Sequence, residues 1–152
     1  MNNNNSINGF FENRPKETSH EDEGEDLKKL LFTPFKKYGY NEKRNYLGSI
    51  EIHSISNSKI KVSCTDENNF ISTRILKGEI HNAFFLVKRK LKAIGIPGII
   101  FIYRERRIML GINDEGDLIV KTGEYDFGNV FLLAGGGIDI MKYTYPKVNL
   151  PN

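Results

Sequence analysis

GEIHNAFFLVKRKLKAIG, residues Gly78–Gly95, is the stretch whose reading decides the fold. Counted from Leu76, the apolar residues Leu76, Ile80, Ala83, Phe84, Val87, Leu91 and Ile94 fall within an arc of roughly 100° when wound at 3.6 residues per turn. That is the width of one core-facing stripe, and it predicts an amphipathic helix. Gly95 suits the residue just past a helix end, and Ile96-Pro97-Gly98 reads as the turn that follows. The opposite face of such a helix carries His81, Phe85, Lys88, Arg89 and Lys92, a basic surface with one aromatic ring in its middle.

On the N-terminal side of this stretch the period is two. Ile50, Ile52 and Ile55 alternate with polar neighbours, Ser56-Asn57-Ser58 is a turn, and Ile60, Val62 and Cys64 alternate again, so this part reads as a hairpin. Phe70 to about Arg74 reads as a further short strand. Upstream, Asp26 followed by Leu27, Leu30 and Leu31 predicts a short helix, because an acidic residue at a helix start complements its dipole. Pro34 ends or kinks that helix near Phe32, with Phe35 next in the same spacing. Residues 1–25 are Asn-rich and then acidic, with little apolar content to offset ordering entropy; they read as a disordered tail, leaving 26–152 as a single domain.

Downstream, Gly98–Tyr103 is an apolar run of strand length, Arg104-Glu105-Arg106 reads as a tight hairpin tip, and Ile108–Ile112 as the returning strand. Asn113–Asp117 is a turn, Leu118–Thr122 a strand, Tyr125–Asn129 another turn, and Ile138–Tyr145 a last strand. Short links between consecutive strands imply antiparallel pairing. The expected fold is therefore α+β: a meandering antiparallel sheet with the 78–95 helix packed across one face.

Composition narrows the function classes. No apolar run approaches the ~18 residues of a membrane-spanning helix, and the N-terminus lacks the charged and apolar regions of a secretory signal. A lone cysteine, Cys64, excludes an internal disulfide; with no signal, the expected location is the cytoplasm. Residues 1–26 hold two basic residues against seven acidic ones, whereas 27–152 hold twenty against twelve. A basic body favours acidic or polyanionic partners, and a tethered acidic segment can compete with them for the same face.

Motifs that carry chemistry are scarce. Gly135-Gly136-Gly137 matches neither a dinucleotide fingerprint nor a phosphate loop and is followed by strand-like residues, so it reads as a place of close backbone approach. Asp114, Glu115 and Asp117 around Gly116 lack the spacing of a calcium loop and suit a turn; His20, His53 and His81 have no zinc-ligand spacing. No metal or cofactor is expected. His53 and His81 are the only acid–base candidates for a metal-independent ribonuclease.

What remains is charge interleaved with aromatics. The outer face of the expected helix (His81, Phe85, Lys88, Arg89, Lys92) and the expected hairpin tip (Tyr103, Arg104, Arg106, Arg107) are the ligand-binding candidates. The sequence reading is a small binding domain for nucleic acid or another polyanion. Its rivals are an inhibitor or immunity-type module acting on an acidic protein, and the ribonuclease. Phe85 is the diagnostic residue: exposed, it stacks on a ligand; covered by Leu27–Phe35, it belongs to the core.

Overall fold

A computed structural model of the chain describes residues 7–19, 26–32, 48–65, 68–87, 91–96, 99–130 and 133–149. Ten strands and one short helix run in the order β1 (Gly9–Glu12), β2 (Glu17–Thr18), α1 (Leu27–Phe32), β3 (Ser49–Ser56), β4 (Lys59–Thr65), β5 (Ile71–His81), β6 (Phe84–Val87), β7 (Leu91–Ile96), β8 (Ile100–Ile112), β9 (Leu118–Val130) and β10 (Leu133–Tyr145). All the strand pairs are antiparallel, in the spatial order β1-β3-β4-β5-β6-β8-β9-β10-β2, with β7 added beside β8. A bridge between Phe11 and Lys147 joins β1 to the segment after β10, so the path of strands returns on itself.

The α+β expectation is therefore overturned: the 78–95 helix does not exist, and the architecture is antiparallel β almost throughout. The chain reverses at Asn82-Ala83, whose φ angles of 47° and 66° are both left-handed, and His81 pairs with Phe84 across this two-residue loop. Two positive φ values in a two-residue hairpin loop define the tight turn whose twist matches the flanking strands. The helical spacing arose from adding Leu76 and Ile80, which share one face of β5, to residues from both faces of the next strand. Phe85 and Val87 of β6 point into the core while Phe84 and Leu86 are half-buried on the other side, so FFLV is apolar throughout and carries no period.

β5 changes partners midway. Ile71–Lys77 pairs with β4 and Gly78–His81 with β6, and the switch falls at Gly78. Any side chain there would collide with Phe85, since a Cβ would lie 2.6 Å from its ring. Inward residues of β1, β3–β6 and β8–β10 meet in one core, among them Ile50, Ile60, Leu76, Phe85, Leu110 and Tyr145. Cys64 lies in that core, at its alternating position.

α1, the only helix among the described residues, lies where the leucine spacing places one. Leu27, Leu30 and Leu31 are wholly buried. Asp26 accepts the Lys29 amide (2.7 Å), Asn13 accepts the Lys28 amide (2.7 Å) through its side chain and the Leu27 amide (3.0 Å) through its carbonyl, and Arg74 of β5 donates to the Phe32 carbonyl at the other end. Each terminus of a six-residue helix is thus tied to a strand or turn, which compensates for the few hydrogen bonds within it.

Residues 7–19 are likewise not a disordered tail: they form β1 and β2, with Phe11 wholly buried and Phe10, Glu12, Lys16 and Ser19 bonded through the backbone to residues 142–148. Ile7, Phe10 and Phe11 suffice because β3 and the C-terminal segment supply the backbone partners. Pro34, Phe35 and Lys88–Lys90 lie outside the described residues.

β8, β9 and β10 are each thirteen residues long, and only their lower halves face the core. From Ile100 to Arg107 the sheet continues as an arm about 25 Å long at ~3.3 Å per residue. The arm exposes Ile96, Ile99, Ile100, Ile102, Phe127, Ile138 and Ile140. The expected hairpin tip at 104–106 and the turn at 125–129 both lie inside these continuous strands: Arg104 pairs with Asp126, and Phe101 with Asn129.

Candidate anion-binding groove

Alternation along β8 sends Ile108 and Leu110 to the core and Arg107 and Met109 to the opposite face. On that outer face a groove of about 1210 Å³ is lined by Glu79 and His81 of β5, Leu86 of β6, Arg107 and Met109 of β8, Lys121, Gly123 and Tyr125 of β9, Ile140 and Lys142 of β10, and Ser19.

Register sets its floor in three rows. The first is Met109–Lys121–Lys142, the second Arg107–Gly123–Ile140, the third Glu105–Tyr125–Ile138. Lys121 and Lys142 are direct cross-strand partners on one face, an arrangement of like charges that destabilises a sheet. Neither forms an ion pair with a described residue; Lys121 instead places its ammonium 4.6 Å from the centre of the Phe84 ring.

In the neighbouring rows the charges are matched. The Arg107 guanidinium lies 4.7 Å from the centre of the Tyr125 ring, and its Nε donates to Glu105. Glu105 is 3% exposed and also accepts the Tyr103 hydroxyl at 2.8 Å. The Glu105 hydrogen bond, outweighing burial, raises the Arg107 pKa above its ordinary value, so the buried carboxylate holds a permanent cation over an aromatic ring.

Of the residues singled out in the sequence, His81 and Arg107 meet in this groove. Phe85 is 3% exposed and belongs to the core, so it offers no stacking surface. It belongs to the same core cluster as Leu27, Leu30 and Leu31 of α1. Arg104 and Arg106 lie on the other face of β8, where Asp126 binds Arg104 at 2.7 Å and Glu124 lies 3.5 Å from Arg106. Tyr103 serves Glu105. Lys88 and Arg89 are outside the described residues, and so is the Lys92 side chain, whose backbone pairs with Arg104. His53, on β3 opposite Lys61, is not among the residues lining the groove.

Lys121, Lys142, Tyr125 and Gly123 escaped the sequence reading. Lys121 and Lys142 each occupy a polar slot in an alternating strand, where a lysine signifies only a solvated face. Their adjacency depends on the β9–β10 register, which no local pattern announces.

Among the described residues no group of three His, Cys, Asp or Glu side chains is placed to hold a metal ion. The acidic turn is occupied by the protein itself: Lys16 reaches Asp117 at 2.6 Å and Glu115 at 2.8 Å. Asp117 also accepts the Lys147 amide at 3.0 Å. The Lys16 hydrogen bond is the main cause of an Asp117 pKa below its ordinary value, with the Lys147 amide adding to it against the opposing effect of burial. No helix among the described residues is long and apolar enough to cross a membrane. No family model, curated protein or solved structure matches this chain. Fold and site together define an antiparallel β protein with a cationic, aromatic-bearing groove on the outer face of its sheet.

Proposed function

We propose that the chain is a binding domain for a phosphate-bearing polymer, a nucleic acid, held along the outer-face groove. The observation that carries this reading is the Lys121–Lys142 pair. Two like charges side by side, with no ion-pair partner among the described residues, cost stability, and a bound phosphate between them would convert that repulsion into two attractive contacts. His81 and the Arg107–Tyr125 pair extend the same surface, against one exposed acidic side chain, Glu79.

The test is binding of a fluorescent oligonucleotide across a salt series. Affinity is expected to fall as salt rises, and Lys121→Ala/Lys142→Ala is expected to flatten the slope of log K on log salt by about 2, one per phosphate-contacting lysine. Absence of salt-dependent binding, or an unchanged slope in the double variant, overturns the reading.

One observation favours the rival of a protein-binding module: the exposed apolar residues of the arm, Ile96, Ile99, Ile100 and Ile102 foremost. Contiguous exposed apolar surface marks protein contacts more often than nucleic-acid contacts. The two readings occupy different surfaces, so the lysine variants leave a contact through the arm intact.

A further inference from the structure

We infer that two copies of this chain pair along the open edge of β10, antiparallel and about a two-fold axis at Gly137. The inference concerns the arm and does not rest on the polyanion reading.

Among the described residues, β10 has a neighbour along its whole length on one side only. β9 pairs with it from Leu133 to Tyr145 without a break in register, whereas β2 covers the opposite edge at Tyr143 and Thr144 alone. That short contact shows which way the backbone groups point. The Lys142 and Thr144 carbonyls accept the Ser19 and Lys16 amides, and the Lys142 amide donates to the Ser19 hydroxyl. Strand period is two, so the amides and carbonyls of Ala134, Gly136, Ile138 and Ile140 are directed to the same edge. Every residue from Ala134 to Ile140 is exposed.

Sheets blunt an exposed edge with lysine, proline or a bulge. Ala134–Ile140 has none of these, and its one charge is Asp139. The other edge of the arm, β7, is six residues long and carries Gly95 at a φ of 146°, so β10 offers the longer regular edge.

The segment is its own complement, which is why the occupant is a second copy. About an axis at Gly137, Ala134 faces Ile140 of the second copy, Gly135 faces Asp139, Gly136 faces Ile138, and Gly137 faces its own counterpart. This centre matches every residue from Ala134 to Ile140; moving it leaves one end unpaired. Each exposed isoleucine then lies across from an alanine or a glycine, and no like charges face each other. The pairs made by Ala134, Gly136, Ile138 and Ile140 are of the hydrogen-bonded kind and exchange about eight backbone bonds in all. The contact continues along the edge that β2 already occupies further down. A two-fold pair uses up this edge in both copies, so assembly through it stops at two. It also sets the groove faces of both copies on the same side of one continuous sheet.

Sedimentation velocity of the full chain over a dilution series is the test, with Ile138→Pro and Gly137→Lys as variants. Proline at Ile138 removes an amide directed to the edge, a position at which a strand tolerates it. Lysine at Gly137 enters open space in the single chain, where a Cβ meets nothing within 4 Å, and meets its like charge across the axis in the pair. Ile71→Lys, at an exposed isoleucine of β5, is the control. Thermal melts at dilutions where the chain is single establish that each variant folds, and Gly137→Lys alone decides the matter if Ile138→Pro does not fold. The expected result is a reversible monomer–dimer equilibrium, weakened about tenfold or more by each edge variant and unchanged in Ile71→Lys. A chain monomeric at every concentration overturns the inference, as does assembly that grows past two. A dimer that Gly137→Lys leaves as tight as wild type, or that Ile71→Lys weakens equally, overturns it too. None of these results bears on the Lys121–Lys142 pair, which the salt series tests separately.

Discussion

The substitution Ala83→Gly separates a hairpin from a helix by the sign of its effect. In the structure Ala83 has φ = 66° and follows Asn82 at φ = 47°, so both residues of the loop are left-handed. An alanine in that region is destabilised by roughly 1–2 kcal/mol relative to its preferred conformations, because Cβ approaches a carbonyl oxygen. Glycine removes that cost but adds about 0.4–1 kcal/mol of unfolded-state entropy. The net expectation is a gain of about 0.5–1 kcal/mol. For a chain of this length that raises the melting temperature by about 1–4 °C. Were residues 78–95 a helix, the same change would fall in its interior and cost about 1 kcal/mol. Urea unfolding followed by circular dichroism reads the difference directly, provided the denaturant slope is unchanged. A midpoint lowered by an amount equivalent to 1 kcal/mol would refute the hairpin and restore the helix. Asn82→Gly is the internal control, and its gain should be smaller because asparagine tolerates the left-handed region well.

Four other outcomes follow from particular contacts. Phe85→Ala should cost about 3–5 kcal/mol in the same unfolding assay, as an aromatic side chain removed from a closed core does, and should alter ligand affinity only through loss of folded protein. Asp26→Ala removes the side-chain acceptor of the Lys29 amide at the start of α1 and should cost about 0.5–2 kcal/mol. Asp117→Asn should remove a pH-dependent contribution: because the folded carboxyl titrates below its ordinary value of 3.8, that contribution is present above pH 3.8 and is lost as pH falls through the lowered folded value. The melting temperatures of wild type and variant should therefore converge in acid and separate at neutral pH. Ile138→Lys, at a residue 69% exposed on the arm, should leave stability within about 0.5 kcal/mol of wild type.

Legibility of the fold in the sequence tracked burial. Where one face of a strand meets the core and the other meets water, as in Ile50–Cys64, alternation is plain, and the β3–β4 hairpin lies where the pattern puts it. The Asn113–Asp117 turn was equally plain, because its chemistry is local: the Asn113 side chain accepts the Asp117 amide at 2.7 Å. Legibility failed in two opposite ways. β6 is apolar on both faces, and its turn carries Asn-Ala where Asn-Gly would have declared a hairpin, so nothing interrupted the helical count. In the arm neither face is closed over by the core, so charged residues and glycines occur in mid-strand and imitate turns. Arg104 and Arg106 looked like a tip because their partners, Asp126 and Glu124, are 22 and 18 residues away in sequence and adjacent only in register.

The same distinction explains why the candidate site was only half visible. His81 and Arg107 were recognisable by residue type, but type alone could not separate Arg107 from Arg104 and Arg106, which share its segment and point to the other face. What separates them is the identity of the nearest carboxylate. Arg104 meets an exposed partner across the strand and is neutralised in solvent, where such a pair contributes little. Arg107 meets Glu105, a carboxylate 3% exposed, and separating the two would break a charge-assisted hydrogen bond in a buried setting. The first pair can open to admit a competitor; the second is fixed. A fixed cation lying over an aromatic ring, beside two lysines with no ion pair to a described residue, is preorganised in a way that a mobile basic fringe is not. Preorganisation of that kind reduces the ordering cost of binding. On the proposed reading, binding by this surface therefore depends less on how many basic residues the chain carries than on Glu105, buried beside Arg107.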